Sequence, residues 1–219
     1  MERAPNRNAA PLLSEIVQAI SRLSCVREIA SFGSFAIGQA DEWSDIDLLV
    51  ACAEPAKTAW RAAGAIRFLK PVAFYRMFTG VAQPSGRYWF CDETPFHRLD
   101  IAFHSTTDYA NALRNGVRAG HPIQPRREYL AESMPDAIAD STIYPSTEPV
   151  QITDRETEVG RLLYLHLEAL KFSMRKRPWK QNPFKTRAQL LAAMESPLEA
   201  GGGDLRAFVA RVDQLTGSQ

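Results

Sequence analysis

The chain predicts an α+β protein: a small mixed sheet with flanking helices over residues 1–104, followed by a helical domain over residues 105–219. Three observations carry this. Runs of β-branched and aromatic residues bounded by turn residues continue as far as His104 and then stop. From Arg155 to Met174 apolar residues recur around a helix instead. Between them, residues 120–149 hold five prolines in irregular company, a connection or wrapping loop. A chain of 219 residues, 45% hydrophobic, can bury one sizeable core and at most a second small one.

Leu12, Leu13, Ile16, Ile20 and Leu23 fall at helical spacing, so Pro11 to Leu23 reads as a helix, and Val26 to Phe32 as the first strand. Gly33 and Ser34 close that strand. Asp45 to Cys52 (DIDLLVAC) reads as a second, largely buried strand, and a helix covers Pro55 to Leu69. Three extended runs follow, Val72 to Thr79, Arg87 to Cys91 and Arg98 to His104, separated by QPSG and DETP; they predict an antiparallel addition to the sheet. Past His104, helices are expected near Thr107 to Val117, through 155–174, near Arg187 and near Leu205. Gly201 to Gly203 reads as a short joint, since no strand precedes it and no Lys-Ser/Thr pair follows.

Composition removes several function classes. Twenty-six Lys and Arg against 25 Asp and Glu leave a net charge of +1, so whole-chain attraction to a polyanion such as nucleic acid is not expected. No apolar run reaches the ~20 residues of a membrane helix, and MERAPNRNAAPLLSEI lacks a signal-peptide core. The expectation is a soluble cytoplasmic protein, with a homodimer left open. Cys25, Cys52 and Cys91 are odd in number and set among apolar neighbours, which suits reduced core thiols. His97, His104, His121 and His166 have no spacing that builds a zinc site or a triad and read as structural.

The chemistry concentrates in Ser31 to Val50, SFGSFAIGQADEWSDIDLLV. Asp45 and Asp47 lie at i and i+2 of a strand, so both carboxylates project from one face. Side by side at the head of an apolar strand, they repel unless a cation lies between them, and carboxylate oxygens suit Mg²⁺. Asp100, alone among Leu99, Ile101 and Phe103, is placed on a later strand to complete the site. Trp43 beside them could stack on a base or pack beneath its own turn.

Gly-Ser, a ten-residue spacer, Asp-x-Asp and a third Asp on a later strand resemble the signature of the DNA polymerase β nucleotidyltransferase superfamily, in its branch of small antibiotic and minimal nucleotidyltransferases. The resemblance spans residues 25–104. It implies that Gly33 and Ser34 bind the β and γ phosphates of a nucleoside triphosphate, ATP or another. It also implies that Asp45, Asp47 and Asp100 hold two Mg²⁺ ions, Asp100 on the acceptor side. Many relatives carry a basic residue three places after the serine; here that place is Ile37. The implied reaction moves a nucleoside monophosphate, AMP from ATP, to a hydroxyl of a small molecule such as an aminoglycoside or lincosamide, releasing pyrophosphate. Two alternatives stand beside it. One is a toxin–antitoxin type enzyme acting on a protein or tRNA, the other a nucleotide-binding module without turnover.

Charge in the second half is uneven. Residues 128–158 hold eight acids and one base, a net of −7; residues 171–187 hold seven bases and no acid, a net of +7. Both read either as solvated surface or as a division of labour, with the basic segment facing the triphosphate and the acids facing the acceptor. Relatives in the antibiotic branch supply a base from outside the sheet. The candidates here are Glu156 and Glu158, with Glu158 chosen because it lies one turn into the long helix.

Overall fold

The computed structural model describes residues 9–78, 83–115, 128–130, 154–178, 182–195 and 202–216. In chain order the elements are α1 (Ala9–Ser21), β1 (Val26–Phe32), α2 (Gly33–Ala36), β2 (Ile46–Cys52), α3 (Pro55–Leu69), β3 (Val72–Phe78), β4 (Ser85–Phe90), β5 (Leu99–His104), α4 (Thr106–Asn115), β6 (Glu128–Leu130), α5 (Asp154–Met174), α6 (Pro183–Met194) and α7 (Gly202–Thr216). The strands form one mixed sheet in the order β3-β4-β5-β2-β1-β6. β2 and β5 run parallel at its centre and every other neighbouring pair is antiparallel. The α+β expectation holds.

Alternation along the strands divides the side chains between two faces. Ile46, Leu48, Val50, Leu99, Ile101, Phe103, Tyr88 and Phe90 point to the face covered by α1 and α3, where Leu12, Ile16, Ile20, Ala59 and Ile66 complete the main core. On the other face, the apolar packing among the described residues lies at its two ends. At one, Ala30, Leu49 and Ala51 pack under Tyr109 of α4. At the other, Ala73 and Trp89 join Phe96 and the apolar stripes of α5, α6 and α7. The C-terminal helices thus share a core with the sheet edge.

Local chemistry sets the helix starts. Ser105 accepts the backbone N–H of Asp108 at 3.1 Å at the head of α4. Asn182 accepts from Phe184 and Lys185 at 2.9 and 3.2 Å, with Pro183 at the first helical position of α6. At Gly160, α5 lies so close to β3 that a Cβ would stand 2.9 Å from the Phe74 ring. Among the described residues no helix is long and apolar enough to cross a membrane.

Several expectations shift in detail. The third strand of the antiparallel addition begins at Leu99 and leaves Arg98 just outside it. Within the proline-bearing connection, Glu128–Leu130 adds a short strand against β1, which the sequence reading had not placed. Thr79, Val117, His121, Gly201 and the remainder of 120–149 lie outside the described residues, as does the side chain of Glu156. None of the three cysteines forms a disulfide. His97, His104 and His166 are buried, and burial pushes the pKa of each imidazole down.

Candidate active site

The middle of the face opposite α1 and α3 carries a charged band. Register places Phe32, Asp47, Asp100, Arg87 and Arg76 directly opposite one another across β1, β2, β5, β4 and β3, so all five share that face. Asp45 stands two residues before Asp47 and Arg98 two before Asp100, and they add to the same side. Carboxylate oxygens of Asp45, Asp47 and Asp100 come within 4.8 Å of one another, as the strand argument required.

Gly33 makes this arrangement feasible. It adopts φ +68° at the end of β1, and a Cβ there would collide with Oδ2 of Asp47. Ser34 follows in the single turn of α2. Ile37 closes that turn, its N–H reaching Gly33 O at 3.4 Å, and brings no charge to it.

Two cations are central: Arg98, which the sequence reading did not name as a site residue, and Lys171, which it held only as part of the basic segment 171–187. The Arg98 guanidinium lies between two of the acids, donating from Nη2 to Asp45 at 2.5 Å and to Asp100 at 2.8 Å, and from Nε to Asp100 at 2.8 Å. Lys171 Nζ from α5 stands 3.3 Å from Asp45 and 3.5 Å from Glu168, and Glu168 stands 3.4 Å from Arg98 Nη1. Arg98 and Lys171 are only 4% and 2% exposed, so their charges depend on these partners. Arg98 was legible in principle, because the period-2 argument used for Asp45 and Asp47 applies equally to Arg98 and Asp100. Lys171 and Glu168 were not, since nothing local says that α5 docks there.

The two neighbouring aspartates respond in opposite directions. Burial pushes both up. At Asp45 the charges of Lys171 and Arg98 outweigh it and hold the carboxyl below its usual range. At Asp47 burial is reinforced by the charges of Asp45 and Asp100, and its pKa lies well above the usual range. The two carboxyls thus differ in direction, and the repulsion that raises Asp47 is what a further cation would offset.

A second charged contact fixes the loop leading into β2. Arg175, just past the end of α5, grips Asp41 through two hydrogen bonds of 2.8 and 2.5 Å. Asp41 in turn accepts from Ser44 Oγ at 2.8 Å and from the Trp43 N–H at 3.1 Å, an Asx-type turn. Ile46 N then donates to Arg98 O at 2.8 Å, aligning the start of β2 with the chain entering β5. Trp43 packs edge-on against Phe96, a residue outside its own turn, at 5.1 Å.

The structure therefore brings together Gly33, Ser34, Asp45, Asp47 and Asp100. It does not bring Glu158 to them. Glu158 is roughly half exposed and pairs with Arg161 at 2.7 and 2.5 Å, about 15 Å along α5 from Glu168 at 1.5 Å per residue. The acid from α5 that reaches the cluster is Glu168. The basic segment divides as well: Lys171 and Arg175 face the site, whereas Arg187 pairs with Asp213 of α7.

The donor set fits a hard divalent cation. It is all oxygen and convergent, and the mutual repulsion of its carboxyls is of the kind a bound divalent cation offsets. Residues 13–80 match the family model of the nucleotidyltransferase domain. That stretch contains Gly33, Ser34, Asp45 and Asp47, and the sheet supplies Asp100 from beyond it. No curated protein matches the chain. With that match over residues 13–80, the fold and the acidic cluster are consistent with a nucleotidyltransferase domain of the polymerase β-like superfamily. A domain of this family supports an enzyme of the nucleotidyl-transfer type.

Proposed function

We propose that the protein moves a nucleoside monophosphate, AMP from ATP, to a hydroxyl of a small molecule and releases pyrophosphate. The observation that supports this is the convergence of Asp45, Asp47 and Asp100 beside the Gly33–Ser34 turn. Held by these three aspartates, two Mg²⁺ ions would lower the pKa of the acceptor hydroxyl and offset the charge of the leaving pyrophosphate.

The chain's own groups do the positioning. Gly33 leaves room for phosphate oxygens to approach the backbone, and Ser34 offers an N–H and a hydroxyl to the β and γ phosphates. Lys171 and Arg98 keep Asp45 ionised and ready to ligate. The acceptor oxygen forms its bond to the α-phosphorus as the bond to pyrophosphate breaks, and the hydroxyl proton passes to a carboxylate oxygen of Asp100. In this reading residues 1–104 bind the nucleotide, and residues 105–219 bring Glu168, Lys171 and Arg175 to it. The work belongs in the cytoplasm, where ATP and Mg²⁺ are at hand. Aminoglycosides and lincosamides are the acceptors to screen first, alongside charged and neutral polyols.

Pyrophosphate release across nucleotides and acceptors tests the reading, with Asp45→Asn and Asp47→Asn as controls. Each variant should lower turnover at least about 10³-fold, equivalent to about 4 kcal/mol of transition-state stabilisation. Metal-free melting temperature should hold or rise in Asp47→Asn, because a like charge is removed. Mg²⁺ with ATP should raise the wild-type melting temperature more than either alone. Undiminished turnover in either variant ends the metal-site reading.

A further inference from the structure

The band that holds the three acids continues past them. On the side of Asp100 away from Gly33 the next two positions in the row are Arg87 and Arg76, on β4 and β3. With strands about 4.8 Å apart, these stand about 5 and 10 Å from Asp100 along the sheet, and Gly33 lies at the opposite end of the row. If the triphosphate occupies the Gly33–Ser34 end, the arginines line the end from which the acceptor must approach.

Their own partners leave them underused. Arg87 Nε is 3.6 Å from Asp100 Oδ1, an ion pair too long for a hydrogen bond. Among the described residues no acid pairs with Arg76. Like charges directly opposite on antiparallel strands repel, and burial together with Arg87 pushes the Arg76 guanidinium down from its ordinary range. Aromatic rings hold the two guanidinium groups in place. Arg76 lies 4.4 Å above the Phe78 ring, and Arg87 lies 5.5 Å from Phe78 and 4.7 Å from Tyr164 of α5. Gly160 lets α5 settle onto this edge, where its missing Cβ would stand 3.6 Å from Arg76 Cδ. Flanked by these rings, each guanidinium presents a planar fork of N–H donors, a chemistry suited to an oxyanion.

We propose that Arg76 and Arg87 form an acceptor subsite for an oxyanion, so that the acceptor is a small hydroxyl compound carrying a phosphate or carboxylate group. The inference rests on the nucleotidyltransferase reading and narrows its substrate class. A polycationic aminoglycoside would meet two guanidinium groups beside the reacting hydroxyl and is disfavoured. The group transferred and the bonds made and broken are those given above; the arginines bind and orient the acceptor.

Calorimetric titration in the presence of Mg²⁺ and a non-hydrolysable ATP analogue provides the test, using ribose 5-phosphate against ribose and gluconate against glucose, with an aminoglycoside as the cationic arm. Wild type should bind the anionic member of each pair about tenfold or more tightly than the neutral one. Preference for ribose 5-phosphate alone assigns the subsite to phosphate, and preference for gluconate alone to carboxylate. Arg76→Gln and Arg87→Gln should bring the ratio to within about twofold, while Arg76→Lys retains part of it. The thermal shift given by Mg²⁺ and ATP in each variant establishes that the nucleotide end is folded. Equal binding of neutral and anionic compounds, tighter binding of the aminoglycoside, or a preference that survives both glutamine variants overturns the subsite. Absence of any Mg²⁺ and ATP shift in wild type would instead overturn the nucleotidyltransferase reading on which it stands.

Discussion

Helix α5 presents the same local pairing twice, with different consequences. Near its start Glu158 and Arg161 pair at i,i+3 with side chains 47% and 51% exposed, and near its end Glu168 and Lys171 pair at i,i+3 with side chains 14% and 3% exposed. At the first site the partners meet mostly water and each other. At the second they also meet Asp45 and Arg98, so that two buried cations serve a group of carboxylates drawn from three elements. An i,i+3 ion pair is worth a few tenths of a kcal/mol on an exposed helix. Its weight grows when packing removes the water and adds partners.

The largest expected contrast follows from removing each member of the buried pair. Lys171→Met keeps most of the side-chain volume but leaves Asp45 and Glu168 with Arg98 alone. It should destabilise the protein by about 3 kcal/mol, the low end for a broken buried pair because Asp45 still touches solvent. Glu168→Gln should lower turnover by about 10- to 100-fold, the usual cost of losing an outer partner of a metal-binding group, since Arg98 would lose its third acidic anchor and Lys171 its second. Urea midpoints and pyrophosphate release measure the two effects. Small effects at both residues would mean that the cluster end of α5 is no more demanding than the exposed end.

The same contrast marks how far the sequence could be read. The strands and the aspartates were legible because both depend on period-2 alternation within short segments: Ile46, Leu48 and Val50 inward, Asp47 and Leu49 to the other face. Gly33 was legible as a turn residue, although its closeness to Asp47 depends on β1 and β2 pairing antiparallel. What could not be read depends on docking. Nothing in GRLLYLHLEALKFSMR says that Glu168, Lys171 and Arg175 meet Asp45 and Asp41, because α5 has apolar residues on much of its circumference and its periodicity alone does not select which charged positions turn inward. The choice of Glu158 relied on proximity to the helix start, whereas the close approach at Gly160 and the core beyond it bring the opposite end of the helix to the acids. Arg76 and Arg87 were hidden for a different reason: only the register of β3, β4 and β5 aligns them with Asp100.

An intermediate effect is expected where the end of α5 holds the loop before β2. Asp41→Asn removes the charge from a two-bond contact with Arg175 and weakens the turn made with Ser44, at a cost of about 1–3 kcal/mol at neutral pH. Burial pushes Asp41 up, but its hydrogen bonds with Arg175 and Ser44 outweigh it, so its folded pKa is below the unfolded one. The stabilisation is therefore present above the ordinary carboxylate range and is lost as pH falls through the lowered folded value. The stability gap between wild type and Asp41→Asn should be fullest at pH 6–8, roughly, and should close on acidification. A gap that widens in acid would show that the loop is held by something other than the ionised carboxylate.

The smallest effect belongs to the exposed end. Glu158 is held below the usual carboxylate range chiefly by its hydrogen bonds to Arg161, and so much of that pair faces water that solvent screening leaves little of it as stability. Glu158→Gln should change the unfolding free energy by no more than about 0.5 kcal/mol. Its turnover should stay within about twofold of wild type, because the proton of the acceptor hydroxyl is assigned to Asp100 and no cluster group touches Glu158. The measurement is most informative beside Glu168→Gln under one set of conditions. A ratio of turnovers of about ten or more between the two variants would locate the functional acid of α5 at its buried end. A loss of about 10²- to 10⁴-fold in Glu158→Gln, with Glu168→Gln near wild type, would instead make Glu158 the general base. That outcome would require α5 to bring its first turns to the acids when nucleotide and acceptor are bound, a change of docking and not of a single rotamer.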